Sequence, residues 1–332
     1  MQKTMRSAWF EEFGSADKVL IVGEQPVPAL DAGQVLVQLK TSGVNPSDVK
    51  KRAGSFPNLL DGGLVIPHSD GAGVIQAVGT GVPESRIGER VWVYQAQYGR
   101  RFGSAAEFLA IDACRAAPLP DNTSFEIGAC LGIPAMTAHR CVFSDGAVDG
   151  QSVLITGGAG RVGHYAIQWA SQAGARVIAT ACDPQDRSIC IEAGAAATVC
   201  HRDADWANAV LAENEGRPVD RVIDVEFGAN LSEVLKLVRT GGTIATYSST
   251  QVARPELPFF DMMYLDLTVR FVIVYAMPEA AKQQAIADIN IKLVGNDLIH
   301  RVAHSLPLAE VAHAHELIET GGFRGCVLLT LS

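Results

Sequence analysis

Gly157, Gly160 and Gly163 fall at G-x-x-G-x-x-G spacing directly behind the apolar run Val153–Ile155, an arrangement that can hold a pyrophosphate. A side chain at the first glycine would block a tight turn. At the second it would hold the backbone away from phosphate, and at the third it would push the next helix off its sheet. Gly158, Ala159, Arg161 and Val162 complete the loop and open a helix over Arg161–Ala173. On that helix Val162, Tyr165, Ala166, Trp169, Ala170 and Ala173 share one face. Its N-terminus would turn free N–H groups and a positive dipole end toward an anion. Glycine clusters also make ordinary turns, so the flanking elements decide.

Those elements alternate. Gly174 stops the helix, Arg176–Ala181 reads as a strand, and residues 193–199 close a second helix-to-strand unit. Val219–Val225 reads as a strand and Leu231–Arg239 as a helix. Gly241-Gly242 reads as a turn, with Thr243–Tyr247 and Val269–Tyr275 as further strands. Such β-α-β alternation predicts an α/β domain with a doubly wound parallel sheet and ligand at the carboxyl ends of its strands. Residues 1–122 have short alternating strands broken by glycine, proline and aspartate, the texture of a β-rich domain. Asp70–Gly73 reads as a turn before a strand over Val74–Gly79. The boundary falls at Pro118–Glu126, where Thr123 and Glu126 match a capping box. The strand-like tail, Gly325–Leu331, is expected to return to the β-rich part. The expected domains are therefore 1–122 with 277–332, and 123–276.

A chain of 332 residues suits two domains, and its formal charge of −9 sets its field against nucleic acid and acidic membranes. No apolar run approaches the ~20 residues of a bilayer span. The seven cysteines include no C-x-x-C pair, which reads as a reduced, cytoplasmic setting.

The segments Gly43–Asp48 (GVNPSD), Arg52-x-Gly54, Asp70–Val74 (DGAGV), Val78-Gly79, Gly88–Val91 (GERV), Pro134–Thr137 (PAMT) and the glycine turn occur in this order. Together they resemble the zinc-independent, zeta-crystallin-like quinone oxidoreductase branch of the medium-chain dehydrogenase/reductase superfamily, nearly end to end. The resemblance implies a GroES-like substrate domain built from both chain ends and a Rossmann cofactor domain. It also implies NADPH-dependent reduction of a quinone or other α,β-unsaturated carbonyl, and a homodimer joined through the edge strand Val269–Tyr275. Where zinc-dependent relatives place catalytic ligands, this chain has Asn45, Ser69 and Ile133. His68 stands one residue from a ligand position; the pairs His300/His304 and His313/His315 read as surface or capping groups.

Without a Lewis acid, hydrogen bonds must stabilise the oxygen that gains charge on hydride transfer. The resemblance points to Asn45, kept extended by Pro46, with Ser47 as proton relay and Asp48 orienting it. Lys50 and Phe56 stand where the family often has tyrosines, so Lys50 is either a substitute donor or an exposed lysine. Thr137 resembles a residue that contacts the cofactor, and Ser248 is counted with it. Ala181 occupies the place of the carboxylate that selects NAD. Asp186 replaces a common phosphate-binding lysine and His201 a common tyrosine, leaving Arg187, Arg202 and Arg324 as cations for a 2′-phosphate. The balance favours NADPH. An enoyl-thioester reductase, and a catalytically silent NADPH-binding protein with a structural or RNA-contacting role, are the alternatives.

Overall fold

A computed structural model describes residues 3–331, and they form two compact units. One runs to Ile133 and resumes at Ile286; the other is Pro134–Ala285.

In the first unit β1 (Thr4–Trp9) and β2 (Ile21–Pro26) form an antiparallel pair. The larger sheet is organised on β3 (Gln34–Val44), which pairs antiparallel with β4 (Asp70–Val78). β5 (Arg90–Val93) follows β4, the first half of β3 takes β6 (Phe108–Asp112), and β7 (Ala116–Pro118) lies beyond β5. Val35, Val37 and Leu39 of β3 pack with Ile75, Val91 and Leu109 in the core. The expected turn at Asp70–Gly73 is instead the start of β4. Its glycines serve close strand approach, since a Cβ on Gly73 would lie 2.0 Å from the Gln38 carbonyl oxygen. The cap at the start of the helix Phe125–Gly128 also differs from expectation: Ser124, not Thr123, is the N-cap, and its Oγ accepts from the Ile127 N–H at 3.4 Å.

The second unit contains β8 (Ser152–Ile155), β9 (Arg176–Thr180), β10 (Ala197–Val199), β11 (Val219–Asp224), β12 (Val238–Thr246) and β13 (Thr268–Phe271). They form a six-stranded sheet of order β10-β9-β8-β11-β12-β13, parallel throughout. The order reverses between β8 and β11, and a doubly wound sheet takes its ligand beside such a switch point. Central strands are buried on both faces, so Leu154, Ile178, Val222 and Ile244 are inaccessible rather than alternately exposed. Gly241 and Gly242 belong to the early part of β12. The expected strand Val269–Tyr275 ends at Phe271, because Val274–Ala276 winds into a 3-10 turn.

The helix Arg161–Gln172 buries more than one face. His164, Ile167 and Gln168 are enclosed along with Tyr165, Ala166, Trp169 and Ala170, whereas Val162 and Ala173 are only partly covered. The helix Met136–Phe143 packs on it, with His139 edge-on to Trp169 at 5.2 Å. At the chain end β14 (Val302–Pro307) lies parallel to β15 (Cys326–Thr330), and β15 pairs antiparallel with the second half of β3. No helix among the described residues is long and apolar enough to cross a membrane.

Candidate active site

The glycine turn is held by both neighbours of β8. Gly157 adopts φ +62°, and its N–H donates to Thr180 Oγ1 at 2.8 Å, while Gly158 N–H donates to the Thr180 carbonyl at 3.1 Å. On the other side Thr156 Oγ1 donates to Asp224 Oδ1 at 2.5 Å and accepts from the Val225 N–H at 2.9 Å. Asn230 Nδ2 also donates to Asp224, whose carboxyl is pushed above the ordinary range by burial. Sequence reasoning missed Thr156, Thr180 and Asp224; position at the carboxyl end of a strand was the available signal.

The glycines have different reasons. A Cβ on Gly163 would stand 2.3 Å from the Gly157 carbonyl oxygen, so helix and turn could not meet. On Gly158 it would meet the Ala179 Cβ and Cys190 Sγ, each at 2.8 Å. On Gly160 it would meet only the Gly157 oxygen, at 3.0 Å, with open space otherwise. Ala159 is buried beside it, and Arg161, Val162 and Gly163 form the first turn of the helix, ahead of its intrahelical hydrogen-bond ladder. The cradle fits a dinucleotide pyrophosphate.

At the neighbouring strand ends, Ala181 is buried and its N–H donates to the Val199 carbonyl at 2.9 Å. That register brings the next residues together: Cys182 and Cys200 form a disulfide with Cα atoms 4.3 Å apart. The reading of all seven cysteines as reduced is thereby corrected. Their partnership depends on strand register, which cysteine spacing does not reveal. Arg187 Nε donates to the Cys182 carbonyl at 3.2 Å, and His201 Nδ1 lies 3.6 Å from Cys182 Sγ. Burial, then the Arg202 charge, lowers the His201 pKa. Arg187, His201 and Arg202 therefore gather at one rim. Ser248 follows β12, its carbonyl accepting from the Phe227 N–H, and Thr137 is buried in the helix Met136–Phe143. Arg324 belongs to the other unit, where it donates to the Phe323 carbonyl.

The first unit holds a buried polar cluster. Asn45 is extended before Pro46 and opens the helix Pro46–Arg52, while Asp48 Oδ2 reaches back to accept the Asn45 N–H at 2.9 Å. Asn45 Nδ2 donates to Asp70 Oδ2 at 2.8 Å, and the Ile133 N–H donates to the same oxygen at 2.9 Å. Asp70 is inaccessible to solvent, and burial pushes its pKa up to about 8 against the opposing Ile133 hydrogen bond. Ser47 is partly exposed and Lys50 exposed. Lys51 is buried, and its Nζ donates to the Gln97 carbonyl at 2.7 Å. Burial lowers its pKa, with Asp48 and Asp70 acting in the opposite direction. The lysine facing the cluster is thus Lys51, and its i, i+3 spacing from Asp48 was the overlooked signal.

His315, expected at the surface or in a cap, is fully buried against His68. Their Nε2 atoms are 2.9 Å apart, and His68 Nδ1 lies 2.9 Å from Ser42 Oγ. Burial, with Lys51 second, pushes the His68 pKa down to about 3; burial, then His68 and Arg52, lowers that of His315. These imidazoles are a neutral pair inside the fold.

Residues 31–121 match the alcohol dehydrogenase GroES-like domain, and residues 162–290 match the zinc-binding dehydrogenase family. Quinone oxidoreductase from Rattus norvegicus is 30% identical over 335 residues, covering 99% of each chain. The Homo sapiens protein of that name is 30% identical over 334 residues, again covering 99% of each. The chain belongs to the quinone oxidoreductase branch of the medium-chain dehydrogenase/reductase superfamily. The two domains of this oxidoreductase are a GroES-like unit and a Rossmann-type unit. A mycobacterial structure complexed with NADPH is also similar, with TM-score 0.86, 25% identity and coverage of 98% of this chain and 99% of that one.

The second family description names zinc, which is held by thiolate, imidazole and carboxylate donors. In this chain Asn45 has an amide, Ser69 a neutral hydroxyl and Ile133 a hydrocarbon, so that set lacks the thiolate and imidazole donors zinc favours. Among the described residues no group of three or more His, Cys, Asp or Glu side chains is arranged to hold a metal.

Proposed function

We propose that this oxidoreductase uses NADPH to reduce a quinone or another α,β-unsaturated carbonyl, without zinc. The observation that carries the reading is the glycine cradle, intact from Gly157 to Gly163, in a chain related end to end to quinone oxidoreductases. The backbone around Gly160 and the first helical turn would hold the pyrophosphate. Ala181 offers no carboxylate against a 2′-phosphate, while Arg187, His201 and Arg202 supply positive or donor groups at the same rim. Thr137 and Ser248 are proposed as further cofactor contacts, and Arg324 as a cation for the phosphate. When bound, NADPH supplies the hydride.

Asn45 is proposed as the donor to the substrate oxygen. One amide hydrogen goes to Asp70, leaving the second for a carbonyl that becomes more negative as hydride arrives. Ser47 is proposed as the proton relay and Asp48 as the group holding Asn45; Lys50, being exposed, would act only through water. A homodimer is proposed across the edge strand β13. Exposed Phe259, Phe260, Tyr264 and Phe271 in that unit support it, because soluble surfaces seldom leave such a set uncovered.

A turnover screen with NADPH and NADH over quinones, free enones and enoyl thioesters tests the reading. Faster turnover with NADPH on a quinone or free enone is expected. Preference for a thioester would move the assignment to an enoyl-thioester reductase, and NADPH binding without turnover would point to a silent binding protein.

A further inference from the structure

Beneath Asn45 lie three ionisable side chains withdrawn from water: Lys51, Asp48 and Asp70, which are 5%, 1% and 0% exposed. Two carboxylates and one ammonium cannot all be charged cheaply where solvent does not screen them. Protonating one carboxyl leaves the group neutral overall. Asp48 is the better anion: it accepts the Asn45 N–H and sits in the first turn of its helix. Asp70 has no exposure. Its Oδ2 takes two N–H donors, while Oδ1 has no partner and abuts Gly132, where a Cβ would stand only 2.1 Å away.

We propose that Asp70 works as a neutral acid that positions the Asn45 amide toward the substrate oxygen, and that its ionisation switches this donor off. The inference rests on the reductase reading above. Because Asp70 Oδ2 can only accept from Asn45, it turns the NH2 rather than the carbonyl of the amide inward and fixes its plane. A neutral partner leaves the other amide hydrogen able to strengthen its bond as the substrate oxygen gains charge. A carboxylate in the same place would draw the amide toward itself and repel the developing oxyanion.

The surroundings keep the proton on Asp70 at neutral pH. Burial first, with the Asp48 charge adding to it against the Ile133 and Asn45 hydrogen bonds and the Lys51 charge, raises its pKa to about 8. His68, two residues upstream, is neutral and paired with His315. Tyr94, whose Cβ would lie 3.2 Å from a Cβ on Gly132, gives its hydroxyl proton to the Cys114 carbonyl. Cys130, on the segment that carries Ile133, gives its thiol proton to the Glu126 carbonyl.

The test combines pH–rate profiles with infrared titration of the resting full-length protein. For enone reduction, kcat should fall about tenfold per pH unit above the Asp70 pKa, with NADPH affinity steady across the range. Asp70→Asn should abolish that limb. Lys51→Gln should move it to higher pH and Asp48→Asn to lower pH, opposite shifts that a merely structural role would not produce. In the wild-type infrared spectrum a buried protonated-carboxyl band should titrate away near pH 8. A limb surviving unchanged in Asp70→Asn, or the absence of a titrating carboxyl band, would overturn the proposal. Since the band is read without substrate, lack of turnover on every substrate would instead count against the reductase reading.

Discussion

The glycine turn and the Asn45 cluster present polar groups by opposite means. Around Gly157–Gly163 the chain removes side chains and leaves a backbone turn held by Thr156 and Thr180. Around Asn45 it retains ionisable side chains, removes them from water and balances them against one another. The first arrangement leaves open space only beside Gly160. The second tolerates no unbalanced charge.

The sharpest way to break this comparison is Gly160→Val. The substituted side chain would enter open space beside the turn rather than the packed interior, so steric exclusion of the cofactor should exceed any loss of folding. NADPH affinity should drop by about a hundredfold or more, roughly 3 kcal/mol, in a protein that still unfolds cooperatively. Fluorescence titration with thermal denaturation checks both points. Wild-type affinity would show that phosphate does not use this backbone. Gly163→Ala is the control with the reverse emphasis, since its Cβ would collide with the Gly157 carbonyl and the loss should be in stability.

The disulfide sharpens the comparison by asking how firmly the cofactor unit is held at its rim. Cys182 and Cys200 are separated by 18 residues in sequence. Loop-closure entropy for such a span gives about 3 kcal/mol, and native proteins commonly realise roughly 2–4. Cys200→Ser should therefore lower the Tm by about 4–16 °C, taking roughly 2–4 °C per kcal/mol for a domain of this size. Scanning calorimetry of oxidised, reduced and substituted protein would read the change. Equal midpoints in all three would mean that the bond contributes nothing to the folded state in solution.

The smallest effect is expected at Asn45. Asn45→Ala should lower kcat on a poorly activated enone by about tenfold and less on a reactive quinone, leaving NADPH affinity unchanged. A preorganised donor matters most where the transition state concentrates charge on one oxygen, and a quinone spreads it. Steady-state kinetics on both substrates, with a cofactor titration, distinguishes this from general damage. Equal, negligible effects in a folded variant would reduce Asn45 to a helix cap and shift the role to Ser47 or Lys51.

Much of the second unit was legible because its signals are local. Apolar runs, glycine spacing and helix stops mark β8, the turn and the helix Arg161–Gln172 within about twenty consecutive residues. Single-helix periodicity could not show that Met136–Phe143 packs on that helix through His139 and Trp169, nor that His164, Ile167 and Gln168 are buried as well. Nor could it place the end of β13, because apolar Val272–Tyr275 would suit either a strand or the observed turn.

By itself, the sequence determined the alternating α/β order, the glycine turn, the family resemblance and the absence of zinc-favouring side chains at Asn45, Ser69 and Ile133. Each of these is written in residue identities or short spacings. Tertiary structure alone decided that Asn45 meets Asp70 and Ile133, that Lys51 rather than Lys50 turns inward, that His68 meets His315, and that Cys182 meets Cys200. The reason is common to all four. Charge state and pairing depend on which distant segments exclude water from a group, and strand register and packing set those neighbours.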